Sequence, residues 1–167
     1  LEAAEYRQFS FLLPFPDYKL PNVVITEAGL KHPKAPEMVG NLLVQQSLRA
    51  QGRPYMGAFS EQSAWRSIAE EGIVDSIANS FLVLASASDQ LPLALIAQFK
   101  TTCAYIYSVD RRAEFAKETR IEQADQQLIV CKRRLYPDAV NAQISLIQHL
   151  ENEIYRSGEI LFTRLPR

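Results

Sequence analysis

The sequence predicts a mainly α-helical fold: a bundle of about six helices around a buried central helix over 91–109, with a small extended element made from the two chain ends. Three observations predict it. Leu91 to Val109 is almost continuously apolar, yet Gln98, Lys100, Thr101 and Thr102 interrupt it too often for a bilayer span. Stepped at about 100° per residue, it separates a small-residue stripe (Ala94, Ala97, Thr101, Ala104, Ser108) from a large one (Leu91, Leu95, Phe99, Thr102, Ile106, Val109). Small residues admit a neighbouring helix and large ones fill a core. Finally, Ile121, Ala124, Leu128, Cys131 and Leu135 recur at spacings of three and four, the seam of a second packed helix.

Taken in order, the chain begins with an extended arm over 1–30. Tyr6 to Pro16 (YRQFSFLLPFP) reads as a strand closed by Pro14 and Pro16, neither of which donates to a ladder. Asn22 to Thr26 (NVVIT) is a second β-branched run and pairs with the first as a hairpin. Pro36 opens a helix whose apolar face, Met38, Leu42, Leu43 and Leu48, runs to about Ala50, where Gly52 and Pro54 stop it. Ser60 caps a helix through Trp65 and Ile68, and Gly72 ends it. A third helix follows from Ile73 to Ala87, with Ile77, Phe81 and Leu84 on one side. After the central helix and the 121–135 seam, Tyr136-Pro137-Asp138 starts a last helix to Arg156, with Val140, Ile144, Ile147 and Ile154 along one face. The helical region is 36–157, and 159–165 is a short extended segment that returns to the arm.

The chain of 167 residues suits one domain, with 47% hydrophobic and 22% charged residues, an ordinary globular composition. Lys+Arg 18 against Asp+Glu 19 leaves no overall field to draw nucleic acid or membrane, so any electrostatic function is local. Cys103 and Cys131 fall on apolar helix sides and read as core thiols, which with no visible signal peptide suggests a cytoplasmic setting. A start at Leu1-Glu2 reads as an excised piece of a larger protein.

Catalytic motifs are missing from the sequence. His149 and Glu153 share a helical face but make at most two metal ligands, and His32 reads as a loop residue. Cys131 precedes Lys132, Arg133 and Arg134, but adjacent helical residues point apart. The pairs Glu70-Glu71 and Glu151/Glu153 read as solvated, and no Gly-rich phosphate loop or nucleophile elbow is present. The sequence therefore assigns no catalytic residue, no metal and no cofactor.

What remains points to partners. Phe9, Phe11 and Phe15 in the arm, with Tyr55, Met56 and Phe59 in a loop, make the candidate contact of a non-catalytic interaction or scaffold module, binding a protein partner or a second copy within a larger assembly. The alternative is nucleic-acid binding by a basic helical region, Arg111, Arg112, Lys117, Arg120, Lys132, Arg133 and Arg134. An enzyme is third, through a pocket of Lys100, Tyr105, Tyr107 and His149.

Overall fold

The computed structural model describes residues 8–50, 60–86, 93–125, 127–139 and 151–156. Its centre is a seven-stranded sheet rather than a helix. The strands are β1 (Gln8–Phe15), β2 (Val23–Thr26), β3 (Leu82–Ser86), β4 (Thr102–Ser108), β5 (Lys117–Ala124), β6 (Gln127–Arg134) and β7 (Glu153–Ile154). They stand in the order β3-β1-β2-β4-β5-β6-β7, every neighbouring pair antiparallel. Five helices accompany them among the described residues: α1 (Glu27–Lys31), α2 (Ala35–Ala50), α3 (Glu61–Glu70), α4 (Val74–Ile77) and α5 (Leu93–Thr101). The architecture is a sheet with α2, α3 and α4 layered on one face, while Phe99 of α5 packs on the other against Tyr105.

The helical bundle expected from the sequence is overturned at four places. Over 91–109 only Leu93–Thr101 is helical, and the chain passes directly into β4. Thr102, Tyr105, Ile106 and Tyr107 are β-branched or aromatic, which suits a pleated surface better than a helix. The 121–135 seam is the hairpin β5–β6. A helix built on that seam leaves Ile129 and Val130 off the packing face, whereas in β6 they take opposite faces. Ala124 pairs with Gln127 across a two-residue loop, and Asp125 adopts the left-handed φ of 55° that such turns require. The 73–87 helix shrinks to the single turn of α4, and the run after Asn79-Ser80 becomes β3. In the last expected helix, Pro137–Ala139 is a 3-10 turn and Glu153–Ile154 is β7; 140–150 lie outside the described residues, as does 159–165.

The β1–β2 pairing and the helices α2 and α3 form as the sequence indicates, whereas Glu27–Lys31, read as the end of the extended arm and the loop after it, is the helix α1, capped by Thr26. β1 and β2 pair antiparallel, Leu13 with Ile25 and Phe15 with Val23. Pro14 lies inside β1 rather than ending it. The Phe15 carbonyl accepts from the Asn22 N–H, and backbone groups alternate sides along a strand, so Pro14 faces toward β3. There β3 has already stopped, at Leu82 opposite Leu12, and the missing N–H breaks no ladder bond. Ser60 accepts from the Ser63 N–H at the start of α3, and Gly72 takes a φ of 69° just beyond its end.

One face of the sheet buries Leu13, Phe15, Val23 and Ile25 against Val39 and Leu43 of α2 and Val74 of α4, with Trp65, Ile68 and Ala69 of α3 packed on that cluster. Trp65 meets Phe15 edge-on, ring centroids 5.8 Å apart. In the first turn of α2, Met38 sits with Ala104, Ile121 and Leu128, so the helix bridges both halves of the sheet. Where α2 and α3 meet, a Cβ on Gly40 would lie 2.9 Å from the Gln62 carbonyl oxygen, which explains the missing side chain. Gln62 donates to Asn41, whose amide donates to the Tyr155 hydroxyl (3.1 Å), tying the β6–β7 end to the helices.

At the join between halves, Thr26 caps α1 by accepting from the Gly29 N–H (3.0 Å) and donates its own proton to the Thr102 carbonyl (2.5 Å). The register between β4 and β5 shifts between Thr102 and Ala104, a bulge at Cys103. Gly29 lies against that bulge: an added Cβ would sit 2.8 Å from the Cys103 carbonyl carbon. Replacing Gly29 by Ala should therefore lower stability by about 2–3 kcal/mol, and Thr26→Val by about 1–3 kcal/mol. Gly72→Ala, with open space around it, carries only its backbone strain of about 1 kcal/mol. Urea unfolding followed by Trp65 emission orders the three; Gly29→Ala no costlier than Gly72→Ala would refute the close approach.

Candidate docking edge and groove

Of the aromatic residues singled out in the arm, the fold separates one from two. Phe15 is enclosed by the core beneath Trp65. Phe9 and Phe11 remain 42% and 41% exposed, packed edge-to-face with centroids 5.6 Å apart. Tyr55, Met56 and Phe59 lie outside the described residues.

Phe11 opens onto a groove of about 710 Å³ beneath the helical layer. Its walls are Phe11 and Leu13 of β1, Leu30 of α1, Ala69 of α3, Val74 of α4 and Phe81 before β3. Glu27 and Lys31, which are ion-paired to each other, and Asp75 give it a sparse polar rim. Beside the groove runs β3, which among the described residues has a strand neighbour on one side only. Phe81, Leu82 and Val83 are 55%, 44% and 41% exposed, and Phe81 to Ser86 carries no charge. Edge strands are ordinarily blunted by charge, proline or a bulge. β3 has none of these. Sequence periodicity missed this edge because Ile77, Phe81 and Leu84 also fit a helix; the available signal was Asn79-Ser80 before six uncharged residues that open on Phe81 and include β-branched Val83.

The seven basic residues of the alternative reading are dispersed. Arg111 and Arg112 are exposed in the turn after β4, Arg112 paired with Glu114. In β5 and β6 the alternation of faces separates the rest, Lys117, Lys132 and Arg134 from Arg120 and Arg133. Lys132 pairs with Glu153, and burial, then the Arg111 and Lys132 charges, lowers the Lys117 pKa. Arg133 and Arg120 hold buried Glu118 through their Nε atoms at 3.0 and 3.2 Å, and Arg120 also reaches Glu122 at 3.1 Å. Four of the seven are thus spent on carboxylates of this chain.

Residues of the enzyme reading are also partly placed. Tyr105 and Tyr107 share the sheet face opposite the helical layer; Tyr105 lies in a cluster with Leu12 and Val24, against which Phe99 and Tyr107 pack. Burial, then the Glu118 charge, pushes the Tyr107 hydroxyl up to about 12, so it stays protonated at neutral pH. Lys100 is exposed on α5, and His149 lies outside the described residues. Burial raises the Cys103 thiol to about 11, and burial and Glu122 raise Cys131, whose thiol faces that carboxylate at 3.6 Å. Neither is an activated thiolate. Among the described residues no three His, Cys, Asp or Glu side chains gather as metal ligands, and no helix is long and apolar enough to cross a membrane.

The chain matches no protein-family model, no curated protein and no solved structure.

His32, at the junction of α1 and α2 beside the groove wall, is buried, and its Nδ1 accepts from the Lys34 N–H at 3.1 Å. Burial, then the Lys34 charge, lowers its pKa from the ordinary 6.5. The folded state thus takes up this proton less readily than the unfolded one, so stability is complete above 6.5 and declines as pH falls below it. Urea midpoints from about pH 7 to about pH 5 should fall, with a shallower fall in His32→Gln. Parallel profiles for the two proteins would refute the assignment.

Proposed function

We propose that this protein is a non-catalytic interaction module that receives an extended apolar segment of a protein along β3, with side chains of that segment entering the neighbouring groove. The observation that carries the reading is the juxtaposition of an uncharged, exposed edge strand with an apolar groove of about 710 Å³. Main-chain hydrogen bonds supply affinity in strand addition, and pockets for alternate side chains supply selectivity. Val83 and Ala85 share the groove's face of the sheet, paired with Phe11 and Phe9. A strand laid beside β3 therefore presents every second side chain toward the aromatic pair. The dispersal and pairing of the basic residues leave the nucleic-acid reading without a comparable surface.

A photo-crosslinking amino acid placed at Phe81, and separately at Phe11, in cells that make the protein tests this. Ultraviolet irradiation should give an adduct with a polypeptide at these two positions and none at exposed Tyr136, which follows β6 on the other side of the sheet from β3. Absence of any adduct at both positions would overturn the reading.

A further inference from the structure

The direction of the backbone groups along β3 limits what this edge receives. The Phe15 carbonyl turns toward β2, so Ser10 and Leu12, odd numbers of residues away, turn toward β3. Their partners Leu84 and Leu82 therefore spend their N–H and C=O groups on β1, and those of Val83 and Ala85 point outward. The outward-facing groups are thus placed symmetrically about Leu84.

We infer that a second copy of this chain occupies the edge, the two β3 strands pairing antiparallel about a two-fold axis at Leu84; the inference rests on the docking function proposed above. In this register Val83 of each copy exchanges both backbone hydrogen bonds with Ala85 of the other, and Leu84 faces itself as a non-hydrogen-bonded pair. The side chains suit the symmetry. On the groove face each row reads Phe11, Val83, then the second copy's Ala85 and Phe9, so large meets small across the junction. On the opposite face Leu84 meets Leu84, and Leu82 meets Ser86.

Charge and area agree with this occupant. Phe81 to Ser86 is uncharged and the whole chain carries a net −1, so identical copies meet without appreciable repulsion. Phe9, Phe11, Phe81, Leu82 and Val83 of β1, β3 and the segment before β3, and Ile73 and Ile77 at α4 in the groove wall, are each 41–55% exposed. Covering all of them removes at most about 500 Å² per copy, or roughly 1,000 Å² in total, the lower bound for a specific interface. A two-fold contact also consumes the edge in both copies and closes, where a one-directional contact would continue into a filament.

The register gives a discriminating test on the full chain. Leu84 faces its own copy at a Cα separation of about 4.5 Å, inside the range a disulfide spans. Leu82 lies roughly 13 Å from its copy. In a Cys131→Ser background, Leu84→Cys treated with oxidised glutathione should become a covalent dimer, while Leu82→Cys should not. Light scattering at micromolar concentration should give twice the chain mass for the unsubstituted protein and the single-chain mass for Val83→Lys, with Trp65 emission unchanged. An unsubstituted monomer, equal crosslinking at both positions, or a dimer that survives Val83→Lys would overturn the inference. A monomer whose Phe81 photo-adduct contains a different polypeptide would sink the second copy and keep the docking function; no adduct of either kind would sink both.

Discussion

The hydroxyl of Thr26 ties the β2–α1 junction to β4, which lies 76 residues on in the sequence. It ends β2, caps α1 through the Gly29 N–H, and donates to a carbonyl at the start of β4. Thr26 is almost fully buried, so each of these bonds is made away from competing water. The close seat of Gly29 against the Cys103 bulge fixes the same junction by shape. With that junction set, α1 leaves the sheet in one direction and α2 follows over the face that Leu13, Phe15, Val23 and Ile25 provide. β4 is held beside β2, and β5 and β6 extend the sheet from it by hairpin pairing.

The two faces of the sheet solve different problems. Toward α2 and α3 the residues are apolar and the contacts are those of a core. On the opposite face of β5 and β6 the side chains alternate in charge, and Glu118 is buried between two guanidinium groups. A buried carboxylate is tolerable only when such partners neutralise its charge, so these arginines are committed to the fold before any ligand is considered. That commitment is why a count of basic residues along the sequence overstates the positive surface.

Legibility in the sequence followed the range of the interactions. The β1–β2 pairing, Pro36 at the start of α2, the Ser60 cap and the Gly72 stop were all readable, because each depends on residues a few positions apart. The sheet as a whole was not. Leu128 and Cys131 fit a helical seam as well as a strand, and only the pairing of β6 with β5 chooses between them. The stretch from Leu93 to Ser108 changes from helix to strand between Thr101 and Thr102 without a glycine or proline to mark the change. The candidate site divides in the same way: exposed Phe9 and Phe11 were legible as aromatics, whereas burial of Phe15 and the place of β3 at the edge of the described strands follow from strand order, which no local pattern encodes.

Trp65 is the sole indole in the sequence, and it sits on α3 against Phe15 of β1. Its emission therefore reports one event, the seating of the helical layer on the sheet. The β5–β6 hairpin carries no tryptophan and is silent in that channel, though its peptide groups contribute to far-ultraviolet dichroism. Dichroism follows the backbone of the whole chain while Trp65 follows one contact, so stopped-flow traces of the two signals separate formation of secondary structure from docking of the helical layer without attaching a label.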